Sequence, residues 1–428
     1  MLTPDQDHLL TRTGPGTPMG ELFRRYWIPA FLSEELPEPD CAPVRVRLLS
    51  ERLIAFRDTQ GRVGLLDEFC RHRRASLWFG RNEASGLRCA YHGWKYDITG
   101  QCIDIPSEPP GSTFCKDVKV KAYPCVEKGG AVWTYMGPPA LRPAFPEFEW
   151  TVVPESHRFV SKRLQECNYM QAMEGGIDSS HVSVLHSGEM HTDVLHKGTK
   201  GSSYQQDTRP QFEVVDSPGG LLIGARRNAE AGQYYWRMTQ WIMPWYTMIP
   251  PYGDHALHGH AWVPIDDENC WTWSMSHHPT RPLSNIEWEA IRSGQSIYAE
   301  LIPGTYRPAA NKDNDYLMDR AGQKSGRYYS GVKGISMQDA SIQESMGPIT
   351  DRSLEYLAST DVAIVRARRR LSQVAHSLAQ AQASELPGLD PATHRVRSAS
   401  LVSPHEHLEQ AAGEARLTAE VGTAHVSI

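Results

Sequence analysis

The spacing of apolar and polar positions changes several times along the chain. Thr3-Pro4 offers an N-cap followed by proline at the first helical position, which predicts a short helix ending near Gly14-Pro15-Gly16. A second helix is expected over residues 20–26. The period then shortens to two: Val44-Arg45-Val46-Arg47-Leu48 alternates as a half-buried strand does, and residues 53–56 continue in the same manner. Asp58-Thr59-Gln60-Gly61 turns the chain into a strand at 63–66, and further short strands are expected at 94–98 and 102–105. Prolines 138, 139, 143 and 146 mark a boundary. Beyond it the pattern mixes a helix near 168–181, strands at 220–223, 234–243 and 261–263, a helix near 286–297, and a long helix from 353 to about 382. The reading is α+β: a helical segment 1–40, an all-β domain 41–140, a mixed domain 141–385 and a loosely ordered tail 386–428, whose alanine, serine and proline content argues against a core.

Composition narrows the class. A chain of 428 residues exceeds one compact core, so two or three domains are expected. The net charge of −6 is spread along the chain, and no lysine/arginine tract points to nucleic acid. The charged start Met1-Leu2-Thr3-Pro4-Asp5 does not read as a signal peptide. The longest apolar run, residues 241–250, is too short and too proline-rich to span a bilayer. A soluble, cytoplasmic protein is expected. Arg366-Ala367-Arg368-Arg369-Arg370 reads as a solvated helix face or a subunit contact. Eight cysteines in so long a chain do not make a disulfide framework.

Two of those cysteines carry chemistry. Cys70-Arg71-His72 and Cys89-Ala90-Tyr91-His92 are separated by sixteen residues, and each short loop holds one thiol and one imidazole. Structural zinc also takes two cysteines and two histidines, but it pairs cysteine with cysteine and histidine with histidine along the chain. The alternation favours a Rieske [2Fe-2S] cluster, in which one iron takes both thiolates and the other both imidazoles, raising the reduction potential. Cys70, His72, Cys89 and His92 are its ligands, and single-electron transfer is the chemistry implied.

A second polar cluster lies in Asn168-Tyr169-Met170-Gln171-Ala172-Met173-Glu174 and on through Asp178, His181 and His186. At 100° per residue, Gln171, Glu174, Asp178 and His181 share one arc of a helix. His181 and His186 are five apart and would point about 140° from each other on a straight helix. Both reach one ion only if the helix bends or ends. Two histidines with one carboxylate make the facial triad of non-haem Fe(II) oxygenases, and an upstream one-electron carrier is what such a site needs. Asp339, Asp351 and Asp361 are all open as the carboxylate at this point.

With these motifs, Gly16-Thr17-Pro18-Met19-Gly20, and Gln338-Asp339 followed by Glu344-Ser345-Met346-Gly347-Pro348-Ile349, the chain resembles the catalytic subunits of Rieske non-haem iron aromatic-ring oxygenases, in the branch of phthalate 4,5-dioxygenase. The resemblance implies a Rieske domain followed by a catalytic domain with an antiparallel sheet gripped by helices. It implies Asp339 as the third iron ligand beside His181 and His186. It also implies a head-to-tail homotrimer, or stacked trimers, with Asp178 bridging His181 to His92 of the neighbouring subunit. Arg71 departs from the proline many relatives carry there.

The resemblance further implies an oxygenase using O2, a [2Fe-2S] cluster and Fe(II), with NAD(P)H electrons delivered by a separate flavin and iron–sulfur reductase. Dioxygenation or monooxygenation of an aromatic acid is expected; O-demethylation, diaryl-ether cleavage and electron transfer alone are the alternatives. Arg237 is the candidate carboxylate contact and Arg226-Arg227 the second, while a surface pairing role would account for either.

Overall fold

The computed structural model describes residues 1–230, 232–380, 386–420 and 422–428. The chain forms two compact units, Thr13–Gly16 with Gly20–Pro143, and Met1–Arg12 with Thr17–Met19 and Ala144–Ile428.

The smaller unit holds eleven strands: β1 (Trp27–Leu32), β2 (Val44–Leu48), β3 (Glu51–Arg57), β4 (Val63–Asp67), β5 (Arg81–Glu83), β6 (Gly86–Arg88), β7 (Lys95–Tyr96), β8 (Cys102–Asp104), β9 (Ala122–Tyr123), β10 (Cys125–Lys128) and β11 (Ala131–Tyr135). They make three antiparallel sheets, ordered β1-β11-β10, β2-β3-β4-β9 and β5-β6-β7-β8. In β2 the arginines face water while Val46 and Leu48 are buried, as the alternation predicts. The expectation of a separate helical segment 1–40 does not hold. Every residue of β1 is buried, and the strand pairs with β11, so this stretch belongs to the β unit, whereas the helix Pro4–Thr11 belongs to the larger one.

The larger unit is built on an eight-stranded antiparallel sheet: β12 (Arg158–Gln165), β13 (Gln211–Asp216), β14 (Gly220–Asn228), β15 (Tyr234–Ile242), β16 (Tyr246–Ile249), β17 (Leu257–Pro264), β18 (Cys270–His277) and β19 (Ala399–Ser403). The order is β12-β18-β17-β16-β15-β14-β13. Strand β15 is shared: Gln240–Ile242 pair with β16, and Tyr234–Met238 pair with β19. The tail expected to be loose is thus part of the sheet. Its serines are satisfied there, with the Ser398 hydroxyl donating to the Ile249 carbonyl and that of Ser400 to Pro251. After it, the helix Leu408–Glu414 buries Leu408 and Ala411 against Trp236 and Met238.

The helix Tyr169–Ile177 starts where the Asn168 side chain caps Met170 N–H. Gly175 and Gly176 allow its close approach to its neighbours: a Cβ on Gly176 would meet the Trp262 ring at 2.1 Å, and one on Gly175 the Gln343 amide at 2.1 Å. Helix Ile335–Ser345 packs alongside.

The long helix is shorter than expected. It covers Val362–Ala379; residues 353–358 are turn and coil capped by the Asp351 and Asp361 carboxylates, and 381–385 lie outside the described residues. Nor is its charge run simply solvated. Arg368 is buried against Glu174 and Glu355, while Arg366 and Arg370 hold Asp216. Among the described residues no helix is long and apolar enough to cross a membrane.

Candidate metal centres

In the smaller unit two loops present the sulfur and nitrogen ligands, and they are built alike. Cys70 N–H donates to the Ala75 carbonyl (2.9 Å), and Arg74 N–H returns to the Cys70 carbonyl (3.0 Å). Cys89 N–H donates to Trp94 (2.8 Å), and Gly93 N–H returns to Cys89 (3.0 Å). Each loop closes with a left-handed residue, Arg74 at φ 60° and Gly93 at φ 75°. Glycine suits the second, where a Cβ would also press on the Pro106 ring at 2.9 Å.

The thiols of Cys70 and Cys89 sit at the buried end, in the core with Leu66, Leu87 and Tyr96. His72 and His92 lie at the exposed end with ring centroids 4.4 Å apart, and Trp94 stacks on His72 at 4.6 Å. A hydrogen bond between the two thiols raises Cys70 and lowers Cys89 to about 6. The Tyr96 hydroxyl lies 3.2 Å from Cys70 Sγ. Two sulfurs side by side and two imidazoles side by side match the split ligand set of a Rieske cluster, not the chain-paired set of a zinc finger.

In the larger unit the helix carrying Gln171 and Glu174 ends at Ile177, and Asp178 is extended (φ −94°, ψ 112°). The shared arc expected for Gln171, Glu174, Asp178 and His181 therefore breaks. Gln171 binds the Gln343 and Gly347 carbonyls and Thr350 N–H, and Glu174 is clamped by Arg352 and Arg368. Asn168 is engaged with the Thr11 and Asp267 carbonyls. These three tie the helix into the fold.

His181 and His186 instead flank the single helical turn Val182–Leu185, one at each end. That turn resolves the angular problem posed by their spacing. Their Nε2 atoms lie 3.2 Å apart, and Asp339 Oδ1, from helix Ile335–Ser345, is 3.4 Å from His181 Nε2 and 3.2 Å from His186 Nε2. Bonds of about 2.1 Å meeting at about 90–110° separate donor atoms by about 3.0–3.4 Å, so this triangle has the size of one face of a metal's coordination shell. Asp351 and Asp361 cap local turns instead.

The protons are also correctly placed. Gln338 Nε2 donates to the Val332 carbonyl (3.0 Å), so its Oε1 faces His186 and accepts from Nδ1–H at 2.7 Å. His181 Nδ1–H donates to Asp178 Oδ2 (3.3 Å). Both Nε2 lone pairs are left to converge on the triangle. Asp178 also accepts from the Ser180 N–H and hydroxyl; burial alone would raise its carboxyl, but His181 and Ser180 bring it to about 2. Burial likewise opposes ionisation of Asp339, and the facing imidazoles overcome it and lower it. His181 is raised, since Asp178 and Asp339 outweigh its own burial.

The triad opens into a cavity walled by strands β15 and β17. Arg237, on β15, is buried there over the Tyr252 ring (4.7 Å), and Tyr252 packs edge-on to His196 (4.4 Å). Among the described residues Arg237 Nη1 has no hydrogen-bond partner, and no carboxylate pairs with this guanidinium. Arg226 is spent on Glu406, and Arg227 binds Ser179, Ser183 and the Asp207 carbonyl. The sequence carries no local signal for the roles of Gln338 and the histidines of this cavity: Gln338 lies 152 residues from the ring it orients. A second group of two histidines and one carboxylate, Asp254, His278 and His425, also lies in this unit.

Residues 26–124 match the Rieske [2Fe-2S] domain, and residues 134–406 match the family described as LigXa C-terminal domain like. The chain is 40% identical to the 3-chlorobenzoate-3,4-dioxygenase oxygenase subunit of Comamonas testosteroni, over 91% of this chain and 92% of that one. It is 41% identical to the phthalate 4,5-dioxygenase oxygenase subunit of Pseudomonas putida, over 86% and 85%. The crystal structure of dicamba monooxygenase bound to dicamba shares the fold, with TM-score 0.59 at 20% identity, over 83% of this chain and 98% of that one. A Rieske domain joined to this C-terminal domain, with such relatives along nearly the whole length, means that the chain belongs to the Rieske oxygenases, as an oxygenase subunit that works with a [2Fe-2S] cluster, a mononuclear iron and O2.

Proposed function

We propose that this oxygenase subunit hydroxylates an aromatic carboxylate of the benzoate or phthalate class, with electrons arriving from a separate NAD(P)H-dependent reductase. The observation that carries the reading is Arg237. A buried guanidinium without an acid partner is costly unless an anion completes it, and this one lines the same cavity as His181, His186 and Asp339. Tyr252 gives that end of the cavity an aromatic face. A carboxylate held there would orient the ring toward the triad.

Cys70, Cys89, His72 and His92 would hold the cluster, and His181, His186 and Asp339 the iron. When bound, these groups supply electrons singly to O2. Asp178 holds the His181 Nδ1 proton and, in a head-to-tail oligomer, would face His92 of the neighbouring subunit. Asp178→Asn should keep both metals and lose coupled turnover; normal oxygen uptake in that variant would remove the bridge.

The test of the whole reading is a panel of aromatic acids scored for substrate-stimulated oxygen uptake with a surrogate reductase, using isotopic O2. Two labelled oxygens on an intact ring indicate dihydroxylation, one indicates monooxygenation, and loss of an alkoxy or aryloxy group indicates ether cleavage. Arg237→Gln should raise KM for the acid about tenfold or more with a smaller change in kcat, as loss of a charged hydrogen bond does. An unchanged KM would sink the assignment.

A further inference from the structure

On β17, His258 and His260 lie two residues apart, so on one face of the strand, and both line the cavity. The protonation of His260 is fixed by its surroundings. Its Nδ1 lies 3.2 Å from the Trp273 carbonyl, which can only accept, so Nδ1 carries the hydrogen. Ser274 Oγ, also 3.2 Å from Nδ1, sends its own hydrogen to the Ile297 carbonyl and therefore accepts as well. The neutral imidazole then has a bare lone pair on Nε2, which has no partner among the described residues. His260 is buried, which favours the neutral ring and lowers its pKa to about 4.

His258 is not fixed in this way. Its Nδ1 faces the Ser276 hydroxyl, which in turn faces the Tyr298 hydroxyl, and that chain can run in either direction. His260 is therefore a fixed acceptor in the cavity wall. Arg237, in the same wall, can only donate.

Resting on the aromatic-acid reading above, we propose that the substrate carries a hydrogen-bond donor on its ring, a hydroxyl or an amino group, and that His260 Nε2 accepts from it. The acid group is taken by Arg237 and the donor by His260, so the two contacts fix the ring in one orientation. A ring bearing only halogen or methyl groups satisfies Arg237 and leaves the imidazole lone pair desolvated without a partner.

The test uses the intact, metal-loaded protein without oxygen, so that binding is measured and not turnover. Dissociation constants are taken by calorimetry for 2-, 3- and 4-substituted benzoates, each position carrying hydroxyl, amino, fluoro or methyl. At one ring position the hydroxyl and amino acids should bind about tenfold more tightly than the fluoro acid of that position. In His260→Phe the ratio should fall to about one, and His260→Gln, which restores an acceptor oxygen, should recover part of it. Iron content and the cluster's absorption spectrum check that the variants are intact. If the wild type prefers a donor at no position, or if His260→Phe keeps the preference, the proposal is overturned. The two readings fail separately: benzoates that bind without discrimination overturn only the His260 proposal, whereas no binding by any of the acids overturns the aromatic-acid reading with it.

Discussion

His181, His186 and Asp339 on one side, and Asp254, His278 and His425 on the other, both offer two imidazoles and one carboxylate with donor atoms within 4.8 Å of one another. Judged by residue type the two groups are the same. They differ in what stands behind the rings. His181 and His186 each donate from Nδ1, to Asp178 and to Gln338, so both Nε2 lone pairs face a common point. His278 is turned the other way: its Nδ1 accepts from the Thr280 and Arg281 backbone N–H groups at 3.3 and 3.2 Å. Its Nε2 must then carry the hydrogen, which goes to Asp254 Oδ1 at 3.2 Å. Asp254 in turn is engaged by Arg281 Nε at 3.5 Å. A cation already stands where a metal would need the carboxylate, and the imidazole presents a proton where it would need a lone pair. A metal site is thus specified by the acceptors around its ligands as much as by the ligands.

The largest effect that tests this contrast is loss of a triad member. Asp339→Ala should lower the iron content from about three to about two per chain, the cluster alone remaining, and abolish oxygen uptake. His425→Ala should leave the count at about three. Equal iron loss in both variants would erase the distinction.

The second group sits beside an ion network with a structural role, and breaking that network should cost stability and not metal. Glu149 is buried between Arg397 (2.5 Å) and His277 (3.2 Å). Arg397→Ala strands the carboxylate and should destabilise the larger unit by about 3–5 kcal/mol, read from denaturant unfolding at unchanged iron content. The same pair sets a pH dependence. Burial raises the Glu149 carboxyl, yet Arg397 and His277 outweigh it and bring it from an ordinary 4.5 to about 2. A carboxyl depressed in the folded state contributes stability above pH 4.5 and loses it as pH falls toward 2. Thermal midpoints should therefore drop across that interval in the wild type, and the drop should be smaller in Glu149→Gln.

A finer cut comes from Gln338. Gln338→Leu removes the acceptor behind His186 without touching a ligand, and should weaken Fe(II) or Co(II) binding about 10–100-fold. An unchanged metal affinity would show that the tautomer is set elsewhere.

The two thiol–imidazole loops were legible in sequence because all four proposed ligands sit in two short local motifs, and the domain they fall in matches the Rieske [2Fe-2S] domain. The triad histidines were legible as a pair whose five-residue spacing requires the helix to bend or end. The arc expected for Gln171, Glu174, Asp178 and His181 fails, because Asp178 leaves the helix and a separate single turn carries the histidines. Asp339 needed the family resemblance, since nothing local separates it from Asp351. Gln338 and His260 were out of reach because their roles are tertiary. Gln338 is defined by a carbonyl six residues before it and a ring 152 residues before it, and His260 by carbonyls on β18 and at Ile297. The tail misled through composition: its serines look like linker, yet they are hydrogen-bonded to the end of β16 and the loop after it.

That tail has a consequence for how the protein is made. Strand β15 carries Arg237, and among the described residues its first half is paired on one side by β19 alone, where Arg237 pairs with Ser400. During synthesis the ribosome must deliver some 160 further residues after β15, counted from Ile242 to Ser403, before that edge can close. Until then the nascent chain exposes unpaired N–H and C=O groups along the strand that bears its buried arginine. Completion of the larger unit therefore waits on β19, and the arginine reaches its final setting only with it.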